Sequence, residues 1–180
     1  MKSNRYKYIA CLFFIGPMAA WGQANTWESY YSYYNTNVGS VNNQTIVTAA
    51  ENALFLHDTS QGTSQTITTV EGLSGDNISA LASYGDFVLI GHENGLVAQI
   101  DIKTKKIIFE SGITRSNIIS AEEKQINYIE IVDNIAFVAT GFGVVEVNPE
   151  TLEFGDTYYF GSSSNRTKVN QAIVFGTAIY

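Results

Sequence analysis

Three stretches of the chain share one layout, two short apolar strands split by a tight turn: Thr45–Asp58, Phe87–Asp101 and Ile135–Asn148. The turn ends at Ala53, Gly95 and Gly143, which sets the units 42 and 48 residues apart. Each unit ends its second strand on an Asp or Asn: Asp58, Asp101 or Asn148. Recurrence at a fixed spacing means that one supersecondary unit is copied. A unit of this size cannot bury its own apolar face, so its neighbours must do so.

The strands extend on either side of each hairpin. The first unit reads Val38–Val41, Gln44–Ala49, Ala53–Asp58 and Gln65–Thr69. The second reads Ile78–Ser83, Phe87–Gly91, Gly95–Asp101 and Lys106–Glu110. The third reads Ile126–Ile131, Ile135–Thr140, Gly143–Asn148 and Phe154–Phe160. A fourth begins at Val169–Ile173 and Thr177–Tyr180. No stretch sustains an apolar period of about 3.6 residues long enough for a substantial helix. Ser120–Glu130 holds at most one helical turn ahead of a strand. The pattern is all-β, and units of this length are propeller blades.

The middle strands support blades over an irregular β-sandwich. Phe87-Val-Leu-Ile90 and Ile135-Ala-Phe-Val-Ala139 are continuously apolar. A strand with one wet face alternates, whereas a strand covered on both faces need not. Ala49, Gly91 and Ala139 are equivalent positions where small side chains let adjacent blades approach. Gly95 and Gly143 are placed to supply the positive φ of a tight turn, while Ala53 requires another geometry. The expected architecture is a partial β-propeller of about two complete four-stranded blades with parts of two more. An open ring exposes apolar blade faces, so the expectation is a domain cut short on its C-terminal side.

Residues 1–24 read as a secretory signal peptide. Lys2, Arg5 and Lys7 precede an apolar run from Tyr8 to Ala20, and small residues follow at Ala20, Gly22 and Ala24. The run is short for a membrane span and contains Gly16 and Pro17. Cys11, the only cysteine, leaves with this segment. Residues 25–180 then carry no thiol, no disulfide and no Cys-based metal site, and no transmembrane segment. Removing Lys2, Arg5 and Lys7 lowers Lys plus Arg from 10 to 7 against 17 acidic residues, a net charge of -10. Such a surface repels nucleic acid. Lys103, Lys105 and Lys106 sit together as a solvated hairpin tip.

Catalytic constellations are not evident. His57 falls late in an outgoing strand and His92 reads as an exposed turn residue, at non-equivalent repeat positions. No spaced ligand set, phosphate loop or nucleophile elbow accompanies them. The carboxylates fit strand ends or solvent faces, and no pair is selected for glycosidase chemistry. The chain is expected to be non-enzymatic and without a cofactor or metal. Trp27, Tyr30, Tyr31, Tyr33 and Tyr34 form an aromatic segment that either caps the first blade or offers a binding surface. Tyr158-Tyr-Phe160 admits the same two readings.

Several of these stretches resemble one family. They are Trp27 with the following tyrosines, Ala49-Ala-Glu-Asn-Ala-Leu-Phe55, Gly72-Leu-Ser-Gly-Asp-Asn-Ile-Ser79, Ile90-Gly-His-Glu-Asn-Gly-Leu96, Ala139-Thr-Gly-Phe-Gly-Val-Val-Glu-Val147 and Asp156-Thr-Tyr-Tyr-Phe-Gly161. Together they resemble the N-terminal propeller of the PorZ-type cell-surface proteins of the Bacteroidetes type IX secretion system. They are similar also to two-component regulator propeller repeats. The resemblance implies two propellers followed by a C-terminal domain. It also implies a place in a surface complex that attaches secreted cargo to anionic lipopolysaccharide. On this reading the chain is a scaffold and binding module for other secretion-system surface proteins, or for lipopolysaccharide or another glycan. It would be exported by the general secretory pathway to the outer-membrane surface or periplasm. The alternative is the periplasmic ligand-sensing propeller of a hybrid two-component histidine kinase. A propeller enzyme such as a lyase is a third possibility.

Overall fold

The computed structural model describes residues 36–162, 165–176 and 178–180. Residues 1–24, expected to be a signal peptide, and the aromatic residues Trp27, Tyr30, Tyr31, Tyr33 and Tyr34 lie outside the described residues.

Three four-stranded antiparallel meanders follow one another along the chain. The first holds β1 (Val38–Asn42), β2 (Thr45–Ala50), β3 (Ala53–Asp58) and β4 (Thr63–Ile67). The second holds β5 (Ile78–Tyr84), β6 (Phe87–His92), β7 (Val97–Asp101) and β8 (Ile107–Glu110). A single helical turn, α1 (Gly112–Arg115), leads toward the third. That sheet holds β9 (Ile126–Val132), β10 (Ile135–Thr140), β11 (Gly143–Val147) and β12 (Phe154–Tyr158). Two short hairpins complete the described chain: β13 (Gly161–Ser162) with β14 (Asn165–Arg166), and β15 (Val174–Phe175) with β16 (Ala178–Ile179). The expected strand Val169–Ile173 is not regular. Its backbone is held by the Val169 N–H to Thr140 O bond (2.9 Å), by Asn127 Nδ2 donating to Val169 O (2.8 Å) and by the reciprocal Ile173–Tyr180 pair.

The sheets stack face on face in chain order, each first strand against the next: β1 on β5, and β5 on β9. Between the first two sheets, Val47, Ala49, Leu54, Leu56 and Ile67 meet Leu81, Val88, Ile90, Ala98 and Ile100. Between the second and third, Ala80, Ala82, Leu89 and Val97 meet Ile126, Ile129, Ala136, Val138, Val145 and Val147. Leu89 thus faces the third sheet while its neighbours Val88 and Ile90 face the first. This is why β6 has no polar alternation: both faces of the central sheet are interior. The arrangement is all-β and propeller-like, with no sandwich of two opposed layers.

Gly91 marks the closest approach. A Cβ there would lie 2.4 Å from Cγ2 of Ile126, the first residue of β9. The equivalent Ala49 and Ala139 are fully buried on the same forward-facing side of their own sheets. Gly95 and Gly143 have φ of 85° and 149°. The turn before Ala53 puts the positive φ on Glu51 instead (54°), the first central position of a two-residue hairpin loop.

The turn between the third and fourth strands is built alike in every sheet. Asp58 Oδ1 accepts from the Ser60 and Gln61 N–H groups, Asp101 Oδ1 from Lys103 and Thr104, and Asn148 Oδ1 from Glu150 and Thr151. The carbonyl of each then accepts the N–H four residues on, at Gly62, Lys105 or Leu152, each with φ between 61° and 64°. A short side-chain acceptor two and three residues ahead of the donors is an Asx turn. These hydrogen bonds hold the Asp58 carboxyl below the usual carboxylate range, the Ser60 hydroxyl leading. They do the same for Asp101, where the Thr104 N–H leads.

Candidate interaction face

Up-and-down order sends two kinds of segment to one end of every sheet: the turn between second and third strands, and the connector to the next sheet. This end is the connector face. The other end carries the Asx turns and the Lys103–Asp86 ion pair (2.8 Å).

Each of the two connectors between the four-stranded sheets holds a capping box, the first at its start and the second near its end. Thr68 N–H and hydroxyl both donate to Glu71 Oε2 at 2.7 Å. Ser120 N–H and hydroxyl donate to Glu123 Oε2 at 3.1 and 2.9 Å. The Ser/Thr-x-x-Glu spacing satisfies the free donors of a short helical turn. These bonds lower the carboxyls of Glu71 and Glu123 below their ordinary value, the Thr68 hydroxyl leading at Glu71 and the Ser120 N–H at Glu123.

The first connector is then tied to the hairpin turns beneath it, and the second to itself and to β14. Ile78 N–H donates to Glu51 O (2.7 Å), and Asn52 Nδ2 to Gly75 O (3.2 Å). Glu93 N–H donates to Asn77 O (3.1 Å), and Asn77 Nδ2 to Glu93 Oε2 (3.2 Å). Arg166 Nη1 reaches Ile118 O and Glu123 Oε2, at 3.1 and 3.3 Å. Lys124 Nζ donates to Thr114 O at 2.6 Å.

A framework this closely bonded leaves some large apolar side chains in water. Ile118 is 80% exposed, Val70 64% and Tyr159 60%, with Phe160 also exposed. The Tyr159 ring lies over buried Phe142 at 6.2 Å between centroids. Ile118 and Tyr159 therefore sit on fixed supports, with Arg166 held against the backbone carbonyl of Ile118. Of the sequence candidates, Tyr158-Tyr-Phe160 contributes to this region. Tyr158 itself turns onto the third sheet, where its hydroxyl donates to Glu146 Oε1 at 2.7 Å. That bond raises its pKa. An apolar-walled cleft of about 540 Å³ lies beside it, lined by Val144, Phe160, Val169, Ala172, Ile179 and Tyr180.

Of the two histidines, His57 falls late in its strand as expected, and His92 does not sit as expected. His57 is exposed on β3, with Nδ1 2.9 Å from Ser64 Oγ. His92 is not an exposed turn residue: it is fully buried, because the connector before β5 folds over it. Its Nδ1 lies 3.1 Å from Asp76 O, and its Nε2 has no partner. Among the described residues, no group of three His, Cys, Asp or Glu side chains converges as a metal site, and no helix is long and apolar enough to cross a membrane.

The fold recurs among solved structures of low identity. The computationally designed Ika4 protein superposes with a TM-score of 0.62 at 12% identity, covering 83% of this chain and 85% of that one. The designed Ika8 protein gives 0.59 at 15% identity, over 78% of this chain and 40% of its own. The extracellular domain of BT4673 from B. thetaiotaomicron gives 0.59 at 18% identity, over 81% of this chain and 20% of its own. The chain thus spans well under two thirds of the length of two of these three. A comparison with curated proteins gives no significant match. At the level of families, residues 46–179 match the one described as "TSS9, PorZ, N-terminal beta-propeller domain". Stacked meanders, small residues at the sheet contacts and this match over most of the chain agree: the chain belongs to the PorZ N-terminal β-propeller family of the type IX secretion system.

Proposed function

We propose that the chain is a non-enzymatic scaffold within a type IX secretion component and that its connector face docks other surface proteins of that system. The carrying observation is the family match over residues 46–179. The connector face supports it with exposed Ile118, Val70 and Tyr159 on a bonded backbone. Apolar and aromatic side chains held rigidly are what a binding surface offers at small entropic cost. Lipopolysaccharide or another glycan is the second class of ligand, favoured by exposed Tyr159 and Phe160 beside Arg166 and Lys168. Secretion by the general pathway and residence at the outer-membrane surface belong to the same proposal.

Photo-crosslinkers placed singly at Ile118, Tyr159 and, on the opposite end, Asp86 test it in secreting cells. Adducts with surface proteins or lipopolysaccharide should form from the first two positions and not from the third. Equal labelling from both ends, or normal cargo attachment in cells lacking the protein, would remove the proposal.

A further inference from the structure

We infer that His92 is a proton-sensitive latch that holds the connector of residues 72–77 closed over the second sheet at neutral pH and releases it in acid. Three observations converge on it. First, the side chain is fully buried although it ends a strand beside a turn. Second, its ring is bonded to the connector itself: Nδ1 lies 3.1 Å from Asp76 O. That carbonyl can only accept, so Nδ1 carries the proton and the neutral ring leaves Nε2 as a bare lone pair. Third, Nε2 has no partner. A proton arriving there would create a buried N–H without an acceptor and a buried charge together, both costly.

Asp76 on the connector is the charged group that acts on the ring; the adjoining segments carry Glu71, Glu93 and Glu51 in the sequence. Glu71 is committed to Thr68, and Glu93 accepts from Asn77. Asp76, bonded to the Ser74 hydroxyl, favours a charged ring. Burial outweighs it, and the His92 pKa lies below the ordinary histidine value.

The sign follows. The unfolded or opened chain binds a proton more readily than the closed one, so closure is fully favoured above the ordinary histidine range, about pH 6.5, and weakens as pH falls through and below it. Carboxylate effects begin only near about pH 4, so the interval between belongs to histidine. The released segment includes Gly75 and Asn77, which tie it to the first sheet and to the turn after β6. It is continuous with the helical turn that presents Val70. Acid would therefore reshape one edge of the connector face. The latch needs no partner, so its test is separate from the test of docking.

Amide hydrogen exchange of the full chain, corrected for intrinsic rates, would be compared at about pH 7.5 and about pH 5.5. Residues 73–77 and 92–96 should lose protection severalfold in acid while β10 and β11 do not. His92→Gln, which retains a donor for Asp76 O and does not titrate, should abolish the difference. A wild-type connector equally protected at both values, or a variant with the same acid response, overturns the latch. Because the variant could fail to fold, the ring of wild-type His92 would also be titrated by NMR. An apparent pKa at or above that of free histidine overturns the inference independently.

Discussion

At Gly143, backbone and packing impose the same requirement. Its φ is 149°, and a Cβ would stand 2.2 Å from Tyr158 O on the neighbouring strand. Neither obstacle is a flexible side chain that could swing away. Gly143→Val should therefore destabilise the domain by more than about 1 kcal/mol, read as a lower urea midpoint at unchanged slope. Equivalent small residues were legible from the repeat, since a position that stays small while its neighbours are Val, Ile or Phe must face something close. His92 was not legible. Its burial comes from residues 72–77 crossing over it, a contact that neighbouring residues in the sequence do not announce.

Among the elements, strands were easier to read than the turns that join them. Both faces of the second sheet are interior, so β6 shows as an apolar run without alternation, and its bounds follow to within a residue. The terminal Asp or Asn of each third strand was visible as a pattern, but its role required the turn geometry: it is an acceptor for two backbone N–H groups. Asn148→Ala removes both bonds and leaves the Leu152 φ of 62° with less support. A loss of about 1 kcal/mol is expected, with faster exchange confined to residues 149–153. A loss spread over all three sheets would show that the turn is not a local device. The capping boxes at Thr68–Glu71 and Ser120–Glu123 were present in the sequence as a spacing of three. They were masked by short connectors that do not otherwise look helical. The irregular Val169–Ile173 stretch read as a strand because it is apolar at both ends, yet only Val169 and Ile173 make the backbone bonds described above.

For the whole molecule, stability resides in the two interfaces between stacked sheets. Each sheet is a local meander, so chain order and spatial order coincide. The sensitive place is where second and third sheets pinch together. Gly91→Val would push on Ile126 at a gap of 2.4 Å. It should cost about 1–3 kcal/mol and loosen β9 and α1 together. A variant as stable as wild type would mean that the sheets can slide apart freely. The connector face was less legible than the fold, because scattered exposed apolar side chains form no motif. It emerges only when exposed Ile118, Val70 and Tyr159 are seen together at the connector end of the stack.

One side chain crosses between the second and third sheets in a different way. Buried Gln99 on β7 donates through Nε2 to the carbonyls of Pro149 and Glu150, groups that every amino acid possesses. Pro149 and Glu150, which receive this hook, are thus free to change their side chains over evolutionary time without losing these two bonds. Gln99 has no such latitude: a carboxylate in its place would turn two attractions into two repulsions. Glu occupies the matching site one sheet later, at position 146, where it accepts from the Tyr158 hydroxyl of its own sheet instead of hooking the carbonyls of a following turn.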